Sequence, residues 1–298
     1  MSNKRLNAQR RKLMAGVGAL TLASLANAAR SAETSLAGNG AQRVIVVGGA
    51  IAEIVYMLGK SNLLVATDTT CTFPSQALAL PKVGYQRTLS AEGLLSFQPT
   101  LILASAEAGP PSALDQASKM GVRLVSFAES HDVASVRNKI LGTAHALDAA
   151  DAGQSVLARF DKQWTQTMQN IASAQRKPLR VLFLLNPGGN QAMVAGQHTA
   201  AAAMLKYAGA TNAVADFAGY RALSAEALAA CQPDVVLTTD DTLQAAGGKQ
   251  NLLAGAGFQL TPAGRHGHVV SLDTLFLLGF GPRLPDAVDQ LHRRLFTF

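Results

Sequence analysis

One stretch of this 298-residue chain occurs twice. Gly84-Tyr85-Gln86-Arg87-Thr88-Leu89-Ser90-Ala91-Glu92-Gly93-Leu94 returns, one residue shorter, as Gly219-Tyr220-Arg221-Ala222-Leu223-Ser224-Ala225-Glu226-Ala227-Leu228. Each copy runs into a Gln-Pro pair and an apolar stretch: Gln98-Pro99 before residues 101–103, and Gln232-Pro233 before residues 235–237. A fold for this chain must therefore accommodate the same local build in two halves. Ser90 and Ser224 stand at helix N-cap positions, with Gly93 and Ala227 where a capping box would carry Glu or Gln.

The pattern around the repeat alternates strands with helices. Residues 43–47 are a β-branched run, followed by Gly48-Gly49 and a helical pattern over 50–58. Further strands are expected at 101–104, 123–127, 180–185, 235–238 and 268–272, with an Ala-rich helix over 199–207 ending at Gly209. Such alternation argues for an α/β fold of parallel sheets with helices on both faces. We expect two similar lobes, 43–147 and 179–298, each a mostly parallel sheet with flanking helices. Residues 148–174 contain no Pro and only one Gly, Gly153, and predict a single joining helix about 40 Å long at 1.5 Å per residue. A continuous helix has no soft dihedrals to absorb hinge motion. Two related lobes facing each other would put the Gly-Tyr loops on opposite rims of one cleft, the usual place for a binding site.

The first 28 residues read as an export signal. Lys4, Arg5, Arg10, Arg11 and Lys12 precede an uncharged, mostly apolar run over 13–29, and Ala26-Asn27-Ala28 supplies a small-x-small cleavage pattern. Cleavage is expected after Ala28, giving a periplasmic protein. Arg10-Arg11-Lys12-Leu13-Met14 also resembles a twin-arginine signal, so the Sec and twin-arginine routes both stay open. The apolar run is short for a membrane span, and the lack of a nearby Cys argues against a lipoprotein.

Removing residues 1–28 changes the charge argument. They hold five of the 26 basic residues and none of the 19 acidic ones, leaving 21 basic against 19 acidic. The whole-chain charge of +7 thus belongs mostly to the export segment, and no basic cluster interleaved with aromatics suggests nucleic acid. Cys71 and Cys231 fall in different halves and are expected to be buried free thiols. No Cys-x-x-Cys or His-x-x-x-His spacing suggests structural zinc.

Four segments resemble the periplasmic haem-binding proteins of bacterial haem-uptake ABC transporters, within the wider cobalamin- and siderophore-binding type. They are Val46-Val47-Gly48-Gly49-Ala50-Ile51-Ala52-Glu53-Ile54 with Asp68-Thr69-Thr70; Leu80-Pro81-Lys82-Val83-Gly84-Tyr85-Gln86-Arg87 with Leu89-Ser90-Ala91-Glu92-Gly93; Met193-Val194-Ala195-Gly196 with Thr199-Ala200-Ala201 and Ala208-Gly209; and Leu277-Leu278-Gly279-Phe280-Gly281-Pro282-Arg283. The Val-Gly-Tyr-x-Arg segment is the part that resembles haem binders in particular. The resemblance implies a type III periplasmic binding protein, monomeric, with haem as its transported ligand. An ABC importer's membrane subunit is the implied partner, with an outer-membrane haem receptor system upstream.

On that reading Tyr85 is the candidate axial ligand. A phenolate is a hard anionic donor suited to Fe(III) haem. A tyrosine ordinarily titrates near pH 10, so Arg87, hydrogen-bonded to the phenolate, would favour the charged form. The other haem face stays open. The family's second-lobe His would fall near Asn186-Pro187-Gly188-Gly189, where this chain has none. His198, kept neutral by the start of the following helix, and Tyr220 are rival second ligands, and five-coordinate iron is the third possibility. Arg221 is expected to pair with a haem propionate, and Met193 and Phe73 to line an apolar slot. Glu92 and Glu226, one per lobe, are the expected docking pair for the importer. His266 and His268 read as edge residues, and His131, His145 and His292 as surface residues.

Two other classes fit less well. A Rossmann oxidoreductase would use Gly48-Gly49 with Asp68 about 20 residues on, but Ala50 and Glu53 stand where further fingerprint glycines belong. No Gly-x-Ser-x-Gly supports a serine hydrolase. Cobalamin or a ferric siderophore would suit the same frame, whereas a bare metal ion would need clustered His and carboxylates. The chain is expected to bind and not to catalyse.

Overall fold

The structure is a computed structural model that describes residues 42–185, 193–255 and 257–298. The export segment 1–28 and the stretch Asn186-Pro187-Gly188-Gly189 lie outside the described residues. Residues Arg43–Phe298 form one compact unit.

Its first part runs β1 (Val44–Val47), α1 (Gly49–Met57), β2 (Leu64–Thr67), α2 (Ala91–Leu95), β3 (Leu101–Ser105), α3 (Pro111–Lys119), β4 (Arg123–Phe127) and α4 (Val133–Ala146). The long helix α5 (Ala150–Ser173) follows. The second part begins with β5 (Arg180–Leu185), β6 (Met193–Ala195), α6 (Ala200–Tyr207), β7 (Thr211–Asn212), β8 (Tyr220–Ala222), α7 (Ala225–Ala230) and β9 (Val235–Thr239). It ends with α8 (Asp240–Ala245), α9 (Lys249–Leu253), α10 (Pro262–His266), β10 (Val269–Leu272), α11 (Thr274–Leu278) and α12 (Leu284–Leu295).

The two sheets share one plan. The first is parallel, in the order β2-β1-β3-β4. In the second, β7-β5-β9-β10 is the same parallel order, β6 pairs antiparallel with β5, and β8 pairs antiparallel with β6. Central strands covered by helices on both faces need apolar side chains at every position. Val44 to Val47 accordingly show no exposure, and Val235 to Thr239 are all buried.

The repeat is also built the same way twice. Ser90 Oγ accepts from the Gly93 N–H, and Ser224 Oγ from the Ala227 N–H. Gln98 and Gln232 both take positive φ, at 46° and 41°. The Arg43 guanidinium donates to the carbonyls of Phe97 and Gln98, and the Arg180 guanidinium to that of Cys231. Each arginine braces the end of the repeat's helix from the start of the first strand of its half, where cations suit the exposed carbonyls.

Helix α5 packs against α4 and α12. Its buried positions, Gly153, Val156, Phe160 and Thr167, follow helical spacing on one face. Gly153 ordinarily weakens a helix. Here a Cβ would collide with Ala144, so the glycine allows α5 and α4 to approach closely. No helix among the described residues is long and apolar enough to cross a membrane.

A second tie lies far apart in sequence. Arg283, just before α12, forms a bidentate pair with Glu53 of α1: Nε to Oε2 is 2.8 Å and Nη2 to Oε1 is 2.6 Å. Its guanidinium also lies over the rings of Phe73, at 3.7 Å, and Phe276, at 4.9 Å. Burial pushes the Glu53 carboxyl up, against the lowering effect of Arg283.

Candidate functional site

Parallel sheets of this order open their binding crevice at the carboxyl ends of the strands. A cleft of about 930 Å³ lies there in both halves at once. Gly48, Thr69 and Ser105 line it where β1, β2 and β3 end, and Leu185, Asp241 and Asp273 where β5, β9 and β10 end.

The sequence-expected residues divide. Tyr85, Arg87, His198 and Tyr220 all line this cleft. Gly84 and Gly219 precede the two tyrosines at φ 101° and 80°, so both loops make the same left-handed turn before presenting a ring. Tyr85 is 46% exposed, and its hydroxyl has no hydrogen-bond partner among the described residues. His198 sits one residue before the Thr199 N-cap of α6, at φ 57°. Tyr220 opens β8, and desolvation, then the Glu107 carboxylate, push its phenol up while Arg87 opposes them.

Three expectations need correction. Arg87 does not bond Tyr85; its Nη2 pairs with Glu107 Oε2 at 2.5 Å. Arg221 lies outside the cleft lining, because alternation along β8 sends it away from the Tyr220 side, and its guanidinium rests over the Phe217 ring at 4.8 Å. Phe73 and Met193 line no part of the cleft, and Phe73 instead packs under Arg283.

Histidine placement departs too. His131 is half-buried beside the Phe280 ring, lines the cleft, and has a buried Nδ1 with no hydrogen-bond partner among the described residues. His292 is held by the Ala208 carbonyl at 2.9 Å, so neither is a surface residue, whereas His145 is exposed. His268 stacks on Phe298 and His266, as suits edge residues. The described residues contain no cluster of three or more His, Cys, Asp or Glu able to hold a metal ion. Both cysteines are free, Cys71 buried and Cys231 only half-buried at the end of α7.

Sequence reasoning missed Lys139. It is 1% exposed on the cleft wall and pairs with Glu129, Nζ to Oε2 at 2.8 Å. Burial lowers its ammonium and Glu129 opposes that. A Lys inside an otherwise uncharged helix face was the available signal, and only the fold supplies its partner. A side pocket of about 580 Å³ adjoins the cleft, sharing Glu129, His131, His198 and Thr199 with it.

The dinucleotide reading of Gly48-Gly49 fails for a visible reason. The Asp68 carboxylate already occupies the start of α1, accepting from the Gly48 N–H, the Thr70 N–H and hydroxyl, and the Cys71 thiol. An internal anion thus takes the place a pyrophosphate would need.

Glu92 and Glu226 lie away from the cleft lining, in the first turns of α2 and α7. Both are exposed and neither joins an ion pair among the described residues. The Glu226 N–H and the Ser224 hydroxyl hold the Glu226 carboxyl low.

Two sheets of one plan, sharing a cleft at their strand ends and linked by a continuous helix, define a two-lobed ligand-binding protein. The chain belongs to the periplasmic binding protein family, which matches residues 44–274. It is 57% identical to a solved structure described as the periplasmic heme-binding protein BhuT in complex with two hemes, covering 86% of this chain and 98% of that one at a TM-score of 0.82. It is 37% identical to the apo form of the periplasmic heme-binding protein RhuT from Roseiflexus sp. RS-1, with 86% and 98% coverage and a TM-score of 0.83. Among curated proteins, it is 25% identical over 204 residues to the vitamin B12-binding protein of Vibrio cholerae, 68% of this chain and 72% of the relative.

Proposed function

We propose that this protein binds ferric haem in the periplasm and delivers it to the membrane subunit of an ABC importer, without catalytic turnover. The observation that carries the reading is the placement of the two repeat tyrosines, with Tyr85 unengaged, on one cleft. The 57% identity to a heme-binding relative supports it.

In this reading Tyr85 is the iron ligand. Coordination replaces the phenolic proton, which leaves to solvent, and the resulting phenolate is a hard oxygen donor matched to Fe(III). Haem is the cargo, so the protein need only bind, orient and release it. His198 and Tyr220, both on the cleft, are the rivals for the second axial position, with five-coordinate iron as the alternative. Arg221 is dropped from the propionate role because it stacks on Phe217. Export through residues 1–28, by the Sec or twin-arginine route, places the mature chain in the periplasm.

Residues 29–298 titrated with hemin should give a saturable spectral change. Tight binding of cyanocobalamin or a ferric siderophore, with none of hemin, would sink the reading. Arg87→Ala should weaken hemin binding about tenfold, the lower range for a group that tunes a metal ligand from the second layer.

Docking falls to Glu92 and Glu226. Two separated carboxylates on a rigid body set orientation as well as attraction. The double change Glu92→Ala with Glu226→Ala should leave hemin affinity unaltered. It should also abolish hemin-dependent stimulation of the importer's ATPase in proteoliposomes, and each single change should give a partial defect. Full stimulation by the double variant would mean that these are ordinary solvated glutamates.

A further inference from the structure

The two halves touch along a seam at one side of the cleft. Gly49 and Ala50, in the first turn of α1, line the cleft together with Leu275 of α11 and Gly279 just after it. A Cβ at Gly49 would collide with the Leu275 side chain, so the halves meet closely where that glycine stands. Just off the lining, a Cβ at Gly281 would lie 3.2 Å from the Ala50 Cβ, 3.3 Å from its Cα and 3.6 Å from Glu53 Oε2. All three atoms belong to α1, so a side chain at 281 would press only on the other half. The Glu53–Arg283 pair closes the seam, and Arg283 lies over Phe73 of the first half as well. Phe280, 1% exposed, also reaches across to the His131 ring. The other attachment is α5, which packs on α4 of the first half and α12 of the second and lines no part of the cleft. Two separated, packed attachments hold the halves at one spacing, because close-packed contacts transmit strain and do not absorb it.

We propose that this seam is the thickness gauge of the cleft: Gly281 and the Glu53–Arg283 pair set the spacing of the two halves, and that spacing admits a flat tetrapyrrole and refuses one carrying a bulky group on its face. The proposal rests on the haem reading above. Gly281 and Arg283 are positioning residues in this account, since neither lines the cleft. A flat ligand gains its contact from both walls at once. Parting the walls by about 0.5–1 Å forfeits about a quarter to a half of the dispersion attraction on one face. A wedge in the seam turns the halves about α5, the attachment outside the cleft, and parts the rims that carry Tyr85 and Tyr220.

The test reads spacing and selectivity separately. Spin labels on Thr88→Cys and Ala222→Cys, exposed positions on the two repeat loops, report the rim distance by pulsed EPR without ligand, in a Cys231→Ser background. Hemin and cyanocobalamin titrations of unlabelled protein report selectivity, with thermal melts to confirm folding. The variants are Gly281→Ala, the larger wedge Gly281→Val, and the charge-free pair Glu53→Gln with Arg283→Met. Gly281→Ala should lengthen the rim distance and Gly281→Val should lengthen it further, while the charge-free pair should broaden its distribution. If about a tenth of the molecules keep the native spacing, the apparent hemin affinity falls about tenfold. Cyanocobalamin, thicker because of its axial groups, should lose nothing. Adding Ala50→Gly to Gly281→Ala removes the atom pressed on and should return distance and hemin affinity toward wild type. An unchanged rim distance in both folded Gly281 variants would overturn the proposal, and so would a longer distance with hemin affinity intact. Equal losses for hemin and cyanocobalamin would make the seam a general structural contact and overturn the gauge. Failure of wild type to bind hemin would remove the functional reading and the selectivity claim together, whereas a rim distance that still answers to Gly281 would keep the seam as the spacing device.

Discussion

Tyr85→Phe is expected to abolish the high-spin ferric tyrosinate spectrum of hemin-loaded protein and to weaken hemin binding by at least about a hundredfold. The change removes one oxygen and keeps the ring, so the apolar contact to a porphyrin survives while the donor is lost. Groups that merely orient a metal ligand cost about 10–100-fold when removed, and a direct ligand should exceed that range. The fold itself should not suffer. Tyr85 is nearly half exposed, and its hydroxyl supports no hydrogen bond among the described residues. The matching change Tyr220→Phe separates the rivals. If Tyr85→Phe leaves the spectrum intact while Tyr220→Phe or His198→Ala removes it, the iron ligand belongs to the second lobe. Partial burial, and then the nearby Glu107 charge, push the Tyr220 phenol up, which disfavours Tyr220 as a phenolate donor.

Arg283→Met should destabilise the protein by about 3–5 kcal/mol at neutral pH, because it leaves a buried carboxylate without its partner. For a chain of this size that corresponds to a fall in Tm of about 10 °C. Glu53 is 3% exposed and Arg283 19%, so solvent does little to relieve the loss. The pH dependence follows from the direction of the Glu53 shift. Burial raises its folded-state value above the unfolded one, so the stability that Glu53 contributes is full at low pH and declines as pH rises through the raised value. Removing Arg283 takes away the lowering influence and raises that value further. The deficit should therefore be largest near about pH 8 and shrink toward about pH 5, as protonation removes the stranded charge. Urea unfolding at the two pH values tests this, and a deficit independent of pH would assign the effect to lost ring stacking on Phe73 and Phe276. Adding Glu53→Gln to Arg283→Met should recover much of the loss, since neither charge is then buried alone.

The paired architecture was legible because the repeat and the strand signals are local. Residues 123–127 and 180–185 coincide with β4 and β5, and the N-cap roles of Ser90 and Ser224 follow from the residue types alone. The helix expected over 148–174 forms from Ala150 to Ser173, bounded by the non-helical backbone of Asp148 and Ala149. What local pattern could not supply were pairings across distance. Arg283 and Glu53 stand 230 residues apart, and Arg87 and Glu107 stand on separate loops that two backbone hydrogen bonds hold together. The short spacing of Tyr85 and Arg87 suggested a partnership that the turn between them redirects. His131 read as a surface residue because nothing near it in sequence announces Phe280.

By itself the sequence determined that two related α/β halves would form, that a continuous helix would lie between them, and that each half would carry one Gly-Tyr loop. Those outcomes depend on periodicity, capping and glycine conformation, which act within a dozen residues. The tertiary structure alone decided that both loops open onto one cleft, that Arg87 serves Glu107, that Asp68 fills the start of α1, and that Arg221 faces away from the site. Charge pairing depends on distance and desolvation in three dimensions, and neither quantity is written in the order of residues along the chain.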